Sequence, residues 1–95
     1  MRKFETCRKT AEIAGGAKIT LIYSITVDKL TCLSGDAELE DYGACIHVPE
    51  SGETACIRRI TPTGSKILSL ANLLAKNIVT PVTLHDVVMD WIERD

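Results

Sequence analysis

The sequence has no apolar run long enough for a membrane-spanning helix. Its best stretch, residues 19–25, is interrupted by Thr20 and Ser24, whereas a spanning helix needs about 20 largely apolar residues. A signal peptide is also excluded, because its apolar segment would fall on four charged residues. These are Glu5, Arg8, Lys9 and Glu12. The sequence therefore predicts a cytoplasmic protein that does not enter a membrane.

The sequence also lacks closely spaced cysteine pairs. Its four cysteines are Cys7, Cys32, Cys45 and Cys56, and no two of them are separated by the two residues typical of zinc ribbons and redox motifs. Without an export signal, thiols are expected to stay reduced and to pack as small hydrophobic side chains. Free thiols are therefore the prediction.

Aromatic residues and net positive charge are both scarce. Aromatics make up 4% of the chain and the formal net charge is −2, whereas nucleic-acid-binding proteins cluster Lys and Arg and stack bases on exposed rings. Arg58 and Arg59, with His47, form one small basic group on the predicted sheet. The strand alternation assigns Tyr42 to the core, so no stacking surface remains. A nucleic-acid partner is not expected.

The length and composition fit one small globular domain. The chain has 95 residues, of which 45% are hydrophobic and 25% charged, and this matches an ordinary folded protein with a single core. Residues 1–16 show no clean periodicity and end in Gly15-Gly16, which interrupts regular structure. We predict a flexible or loosely docked tail over 1–16 and one domain over 17–95.

Three segments of period two predict three antiparallel strands. Apolar and polar residues alternate over 17–28 and again over 42–48, and Ala55 and Ile57 continue the pattern after a turn. If Ser51 and Gly52 form that turn, Ile46 lies opposite Ile57 and Cys56 lies opposite His47. Both apolar sets then share one face of the sheet.

Two amphipathic helices are predicted after Ile60. Residues 67–74 carry a broad apolar stripe, and from Leu84 to Ile92 the apolar residues recur at helical spacing. Thr80-Pro81 separates the two segments. The fold class is α+β, a three-stranded antiparallel sheet followed by two helices packed on one face, in the order β-β-β-α-α.

The order of these segments, with two short motifs, resembles a known family. The motifs are Tyr42-Gly43 and the stretch from Pro81 to Asp90, and the resemblance covers about residues 17–94. The chain is similar to a small uncharacterised family of clostridial and related bacterial proteins. Members of that family often carry His directly before the helix Leu, where this chain has Thr83. The resemblance implies a fold and a bacterial cytoplasmic setting, and it lends no functional residue.

One group of side chains predicts a metal or thiol site. In the proposed register Cys45, His47 and Cys56 share the outer face of the hairpin, and Cys32 is available as a fourth zinc ligand. The simpler interpretation is a half-exposed sheet face of small residues. Catalysis by Cys56 with His47 as base is not predicted, because no oxyanion or phosphate loop lies beside them in sequence.

A sheet covered on one side leaves its other face and two strand edges open to another chain. We therefore predict a small protein-interaction or regulatory module that acts through the open face or an edge, with a homodimer as one form. Ile22 and Cys45 on that face, and the semi-apolar stretch 30–33, support this hypothesis. The alternative is a zinc or thiol protein that uses Cys45, His47 and Cys56.

Overall fold

The computed structural model describes residues 1–31 and 38–94. Four strands form one antiparallel sheet in the order β1-β2-β3-β4, so consecutive strands are neighbours throughout. A short 3-10 turn, Ala14–Gly16, joins the first two strands. The strands are β1 (Arg2–Glu12), β2 (Lys18–Thr31), β3 (Glu38–Val48) and β4 (Glu53–Thr61), and the helices are α1 (Gly64–Lys76) and α2 (Leu84–Arg94).

The α+β class and the two helices are confirmed, but the predicted count of three strands is wrong. The additional strand is β1, and it lies within the segment that was assigned to a tail. Its register shifts between Glu5 and Cys7, and such a bulge reverses which side chains face the core. Because β1 is also an exposed edge strand rich in charge, neither half of it shows the apolar alternation that identifies a strand.

The β3–β4 hairpin forms, but its predicted register is wrong by two residues. Val48 pairs with Glu53 and Cys45 pairs with Cys56. The loop has four residues instead of two, because Pro49 has no N–H with which to extend the ladder. Gly52 closes the loop by donating its N–H to the carbonyl of Val48 at 2.9 Å. A shift of two preserves side-chain alternation, so the predicted faces are correct although the partners are not.

The core lies between the sheet and α1, and α2 closes one end of it. Ile67, Leu70 and Leu74 of α1 are at most 1% exposed, and Trp91 of α2 packs against the same cluster. From the sheet the cluster receives Leu21, Tyr23, Ala44, Ile46 and Val48. Neither helix in the described parts of the chain is long and apolar enough to cross a bilayer.

A buried tyrosine connects the sheet to the end of α1. The Tyr23 hydroxyl donates a hydrogen bond to the carbonyl oxygen of Val79 at 2.9 Å. Tyr23 is 1% exposed, and burial raises its pKa to about 12, with a smaller contribution from the nearby Cys7. The bond holds the segment between the two helices against the centre of the sheet.

Replacing Tyr23 with Phe is expected to destabilise the protein by about 1 kcal/mol at neutral pH, because the Val79 carbonyl loses its donor. Tyrosine in the unfolded chain ionises near pH 10, whereas the folded protein holds the proton until about pH 12. The stabilising effect of the hydroxyl is therefore complete below pH 10 and is lost as the pH rises toward 12. Urea unfolding should show that the difference in free energy of unfolding between the two proteins is smaller at pH 11 than at pH 8. A gap that stays constant would contradict this assignment.

Candidate functional site

The sheet face opposite the helices carries a disulfide between Cys45 and Cys56. The two residues lie directly opposite each other on β3 and β4, with their Cα atoms 4.1 Å apart. The prediction of free thiols is therefore wrong for this pair, because two strands of one hairpin bring the residues together. Cys45 is buried and Cys56 is exposed. Cys7 is a free, half-buried thiol, and Cys32 lies outside the described residues.

His47 lies two residues from Cys45 on the same face, but it faces Thr54 and not Cys56. Its Nδ1 is 2.6 Å from the Thr54 hydroxyl oxygen. Within residues 1–31 and 38–94, no three His, Cys, Asp or Glu side chains are grouped so that they could hold a metal ion. Zinc at Cys45, His47 and Cys56 stays a prediction, and it concerns the reduced protein because thiolates are the ligands.

A bulge in β4 shapes the other end of this face. Tyr42 pairs with Thr61 and Ala44 with Ile57, so three residues of β4, 58–60, stand opposite Gly43 alone. A Cβ at Gly43 would lie 2.5 Å from the Thr26 hydroxyl oxygen and 2.7 Å from Cα of Arg58. The missing side chain lets the β4 backbone lie across β3.

The bulge contains a strained residue. Arg59 has a φ of +57°, in the left-handed region that costs a residue with a side chain roughly 1–2 kcal/mol. Strained backbone of this kind is found most often at functional sites. The left-handed backbone of Arg59 therefore lowers the local stability of the bulge.

Arg58 crosses from the bulge to β2. Its Nε donates to Oδ2 of Asp28 at 3.1 Å and its Nη2 donates to Oδ1, so the contact is bidentate. Asp28 is 5% exposed and Arg58 is 50% exposed. The hydrogen bonds from Arg58 hold the pKa of Asp28 below its usual range, assisted by the charges of Arg58 and Arg59 and opposed by burial. Asp28 therefore stays ionised at neutral pH.

These residues line an open pocket of about 540 Å³, which we call the guanidinium pocket. It joins the start of β1, the middle of β2 and the bulge of β4. Nη2 of Arg2 lies 3.6 Å from Oε2 of Glu40. The guanidinium carbon of Arg2 lies 5.6 Å from the centroid of the Phe4 ring. Arg58 and Arg59 thus act on the carboxylate of Asp28, whereas Arg2 pairs with Glu40 at the edge of the pocket. The pocket is lined by Met1, Arg2, Val27, Asp28, Lys29, Arg58 and Arg59.

Sequence reasoning identified part of this site and missed the rest. Arg58 and Arg59 were predicted to form a basic group with His47, but the structure places them with Arg2 and Asp28. The contact between Arg58 and Asp28 joins residues 30 positions apart, and no spacing rule connects them. The sequence signal for this site was Gly43, which belongs to the Tyr42-Gly43 motif. The motif alone does not indicate that the β4 backbone packs against this glycine.

The fold and these contacts define the protein as a small α+β domain with a four-stranded meander, covered by helices on one face. The chain matches a family of unknown function (DUF6514) over residues 2–94, and it belongs to that family. The predicted resemblance to a small family without assigned activity is thereby confirmed, whereas clostridial origin and cytoplasmic location stay predictions. Neither a curated protein nor a solved structure shows significant similarity to the chain.

Proposed function

We propose that this domain is a protein-interaction module whose β1 edge pairs with the β1 edge of a second copy. β1 lies at the edge of the sheet, so one side of its backbone has no partner strand in the described parts of the chain. An edge of 11 residues is long enough to be extended by another strand. The observation that carries the proposal is the effect of the bulge on the side chains of β1.

The bulge between Glu5 and Cys7 aligns residues that would otherwise lie on opposite faces. Phe4 pairs with Ile25 and Ala11 pairs with Ile19, so both face the helix side. Lys3 pairs with Thr26 and Glu12 with Lys18, which places both on the open face. An antiparallel copy of β1 can therefore match the two halves face to face.

One register of such a pair is complementary in charge and in polarity. It places Lys3 of each copy opposite Glu12 of the other, and the exposed ring of Phe4 opposite Ala11. Shifting the register by two residues in one direction would bring Glu5 against Glu12, and like charges directly opposite each other are destabilising. Shifting it in the other direction would bring Glu5 against Arg8 of the second copy, but Glu5 already forms an ion pair at 2.8 Å with Arg8 of its own chain. Charged edges with a bulge normally resist indiscriminate pairing. Here the same features oppose one neighbouring register and favour the pairing of Lys3 with Glu12.

The proposal predicts a dimer that depends on one reciprocal charge pair. Lys3→Glu and Glu12→Lys are each expected to weaken dimerisation by roughly 5–30-fold, because the pair occurs twice across a two-fold axis and each instance contributes up to about 1 kcal/mol. The double variant Lys3→Glu, Glu12→Lys should restore dimerisation, because it exchanges the charges without changing their number. Sedimentation equilibrium in low salt measures all four proteins.

The charge-exchanged double variant is the internal control, because a loss caused by misfolding would not be reversed in it. Glu53→Lys is a second control, since it reverses an exposed charge on β4, at the opposite edge of the sheet from β1. A wild-type protein that stays monomeric at high micromolar concentration would contradict the proposal. Equal dissociation constants for all variants would contradict the register.

A second candidate function is a reversible thiol pair on the open face, favoured by the observed Cys45–Cys56 bond. Cys56 is the exposed half of the bond, so an incoming thiolate would attack the Cys56 sulfur and release Cys45 as a thiolate. A second external thiol then resolves the mixed disulfide and leaves two protein thiols and one external disulfide. In that reduced form Cys45, Cys56 and His47 become available for zinc.

A further inference from the structure

The guanidinium pocket is rich in hydrogen-bond donors and poor in acceptors. An arginine carries five N–H donors and no acceptor. Asp28 occupies two of the donors of Arg58, and the remainder of that half-exposed group stays open to solvent. Arg59 also lines the pocket, and among the described residues its charge acts on Asp28 without a direct salt bridge. The pocket therefore presents more positive charge and more donors than its own carboxylate uses.

We propose that the guanidinium pocket binds a phosphoryl group, the tetrahedral oxyanion of free phosphate or of a small phosphate monoester. Planar guanidinium forks match phosphate oxygens in a bidentate arrangement. Donors from Arg2 on β1 and from Arg58 and Arg59 on the β4 bulge approach from two different segments, which suits an anion with several oxygens better than a planar carboxylate. The volume of about 540 Å³ is within the range of small-molecule sites.

The backbone of Arg59 supports a binding role for this residue. Its φ of +57° suits glycine far better than arginine, and Arg59 is exposed, so no core packing requires the side chain. A charged side chain kept at this strained and exposed position, at the pocket and near Asp28, is suited to contact an anionic ligand. The strain and the charge thus point to the same residue.

Asp28 sets the affinity by competing with the ligand for Arg58. Its carboxylate neutralises part of the positive charge of the pocket, while its hydrogen bonds hold the Arg58 side chain over the face. Replacing Asp28 with Asn removes the negative charge with little change in shape. Phosphate binding is then expected to become roughly 3-fold tighter or more, because the anion gains a full Coulombic interaction with Arg58.

The experiment is a titration of the full chain, at constant ionic strength, with inorganic phosphate, phenyl phosphate and acetate, followed by two-dimensional NMR of backbone and arginine Nε signals. Shifts should concentrate at Arg2, Asp28, Arg58 and Arg59. Arg59→Gly is expected to weaken phosphate binding about 10-fold while raising the melting temperature by a few degrees, because glycine relieves the left-handed strain. Tighter binding of phenyl phosphate identifies a monoester, and equal binding identifies free phosphate.

The matched control is Arg94→Gln, which removes one exposed arginine that pairs with Asp90 on α2. It changes the net charge as Arg59→Gly does, but at a place away from the pocket, and it should leave phosphate binding unchanged. If both variants weakened phosphate binding equally, the effect would come from net charge alone and the proposal would be overturned. Absence of shifts at tens of millimolar phosphate, or acetate binding as tightly as phosphate, would overturn it as well. Arg58 and Arg59 lie on β4, at the opposite edge of the sheet from β1, so their shifts report phosphate binding separately from self-association through β1.

Discussion

Replacing Gly43 with Ala is expected to lower the free energy of unfolding by at least about 3 kcal/mol, the upper end of the range for overpacking a well-packed site. The added Cβ would lie 2.5 Å from the Thr26 hydroxyl oxygen, 2.7 Å from Cα of Arg58 and closer still to the carbonyl oxygen of Ile57. Two of these three atoms belong to the backbone of β4, so no side-chain rotation relieves the clash. The bulge would have to move away from β3.

For a domain of this size the loss corresponds to a fall in melting temperature of roughly 12 °C or more, which differential scanning calorimetry measures directly. Gly64→Ala is the control, because the new Cβ would be 3.9 Å from the Tyr42 hydroxyl oxygen. That variant should be neutral or slightly stabilised, since alanine is the better helix residue. If Gly43→Ala and the control variant have the same melting temperature, β3 and the β4 bulge do not lie as close together as described.

Reduction of the Cys45–Cys56 disulfide is expected to destabilise the protein by about 2–3 kcal/mol. The bond joins residues 11 positions apart. In the chain-entropy model, closing a loop of about that length lowers the conformational entropy of the unfolded chain, and the resulting stabilisation has this size. Urea unfolding with and without a phosphine reductant measures the difference. The double variant Cys45→Ala, Cys56→Ala should lose the response to reductant, whereas Cys7→Ser should retain it.

The same reduced sample tests the thiol and zinc hypotheses. Alkylation followed by mass spectrometry should show that the number of reactive thiols increases by two on reduction. If zinc then binds with one ion per chain and His47→Ala weakens it, the predicted ligand set is correct. A wild-type protein whose stability does not change with reductant would contradict the disulfide. Reduced protein that binds no zinc would remove the metal alternative.

Local periodicity predicted the parts of the fold that are built from uninterrupted elements. The alternation over 17–28 corresponds to β2, and the helical spacing from Leu84 to Ile92 corresponds to α2. Each element buries one face, so its apolar residues recur at the regular spacing of a strand or a helix. The hairpin faces were correct for the same reason, although Pro49 lengthened its loop and shifted its partners.

The features that periodicity missed are the two irregular ones. β1 is an exposed, charged edge strand without apolar alternation, and its bulge would interrupt any period-two pattern in the middle of the strand. The guanidinium pocket depends on the bulge in β4, on a glycine in β3 and on Asp28 in β2. Their meeting follows from the order of strands in the sheet, and single-sequence patterns carry no information about contacts at such distance.

The bulge in β4 has a consequence for how large an assembly can become. Two chains joined through their β1 edges would form one continuous sheet of eight strands, with a β4 strand at each outer end. Residues 58–60 fold over the open face there, so only the short segment before them presents a straight edge. A third chain would find no long, flat template on which to add. The assembly would close at two copies and would not grow into a fibre, because the irregularity that builds the pocket also terminates the sheet.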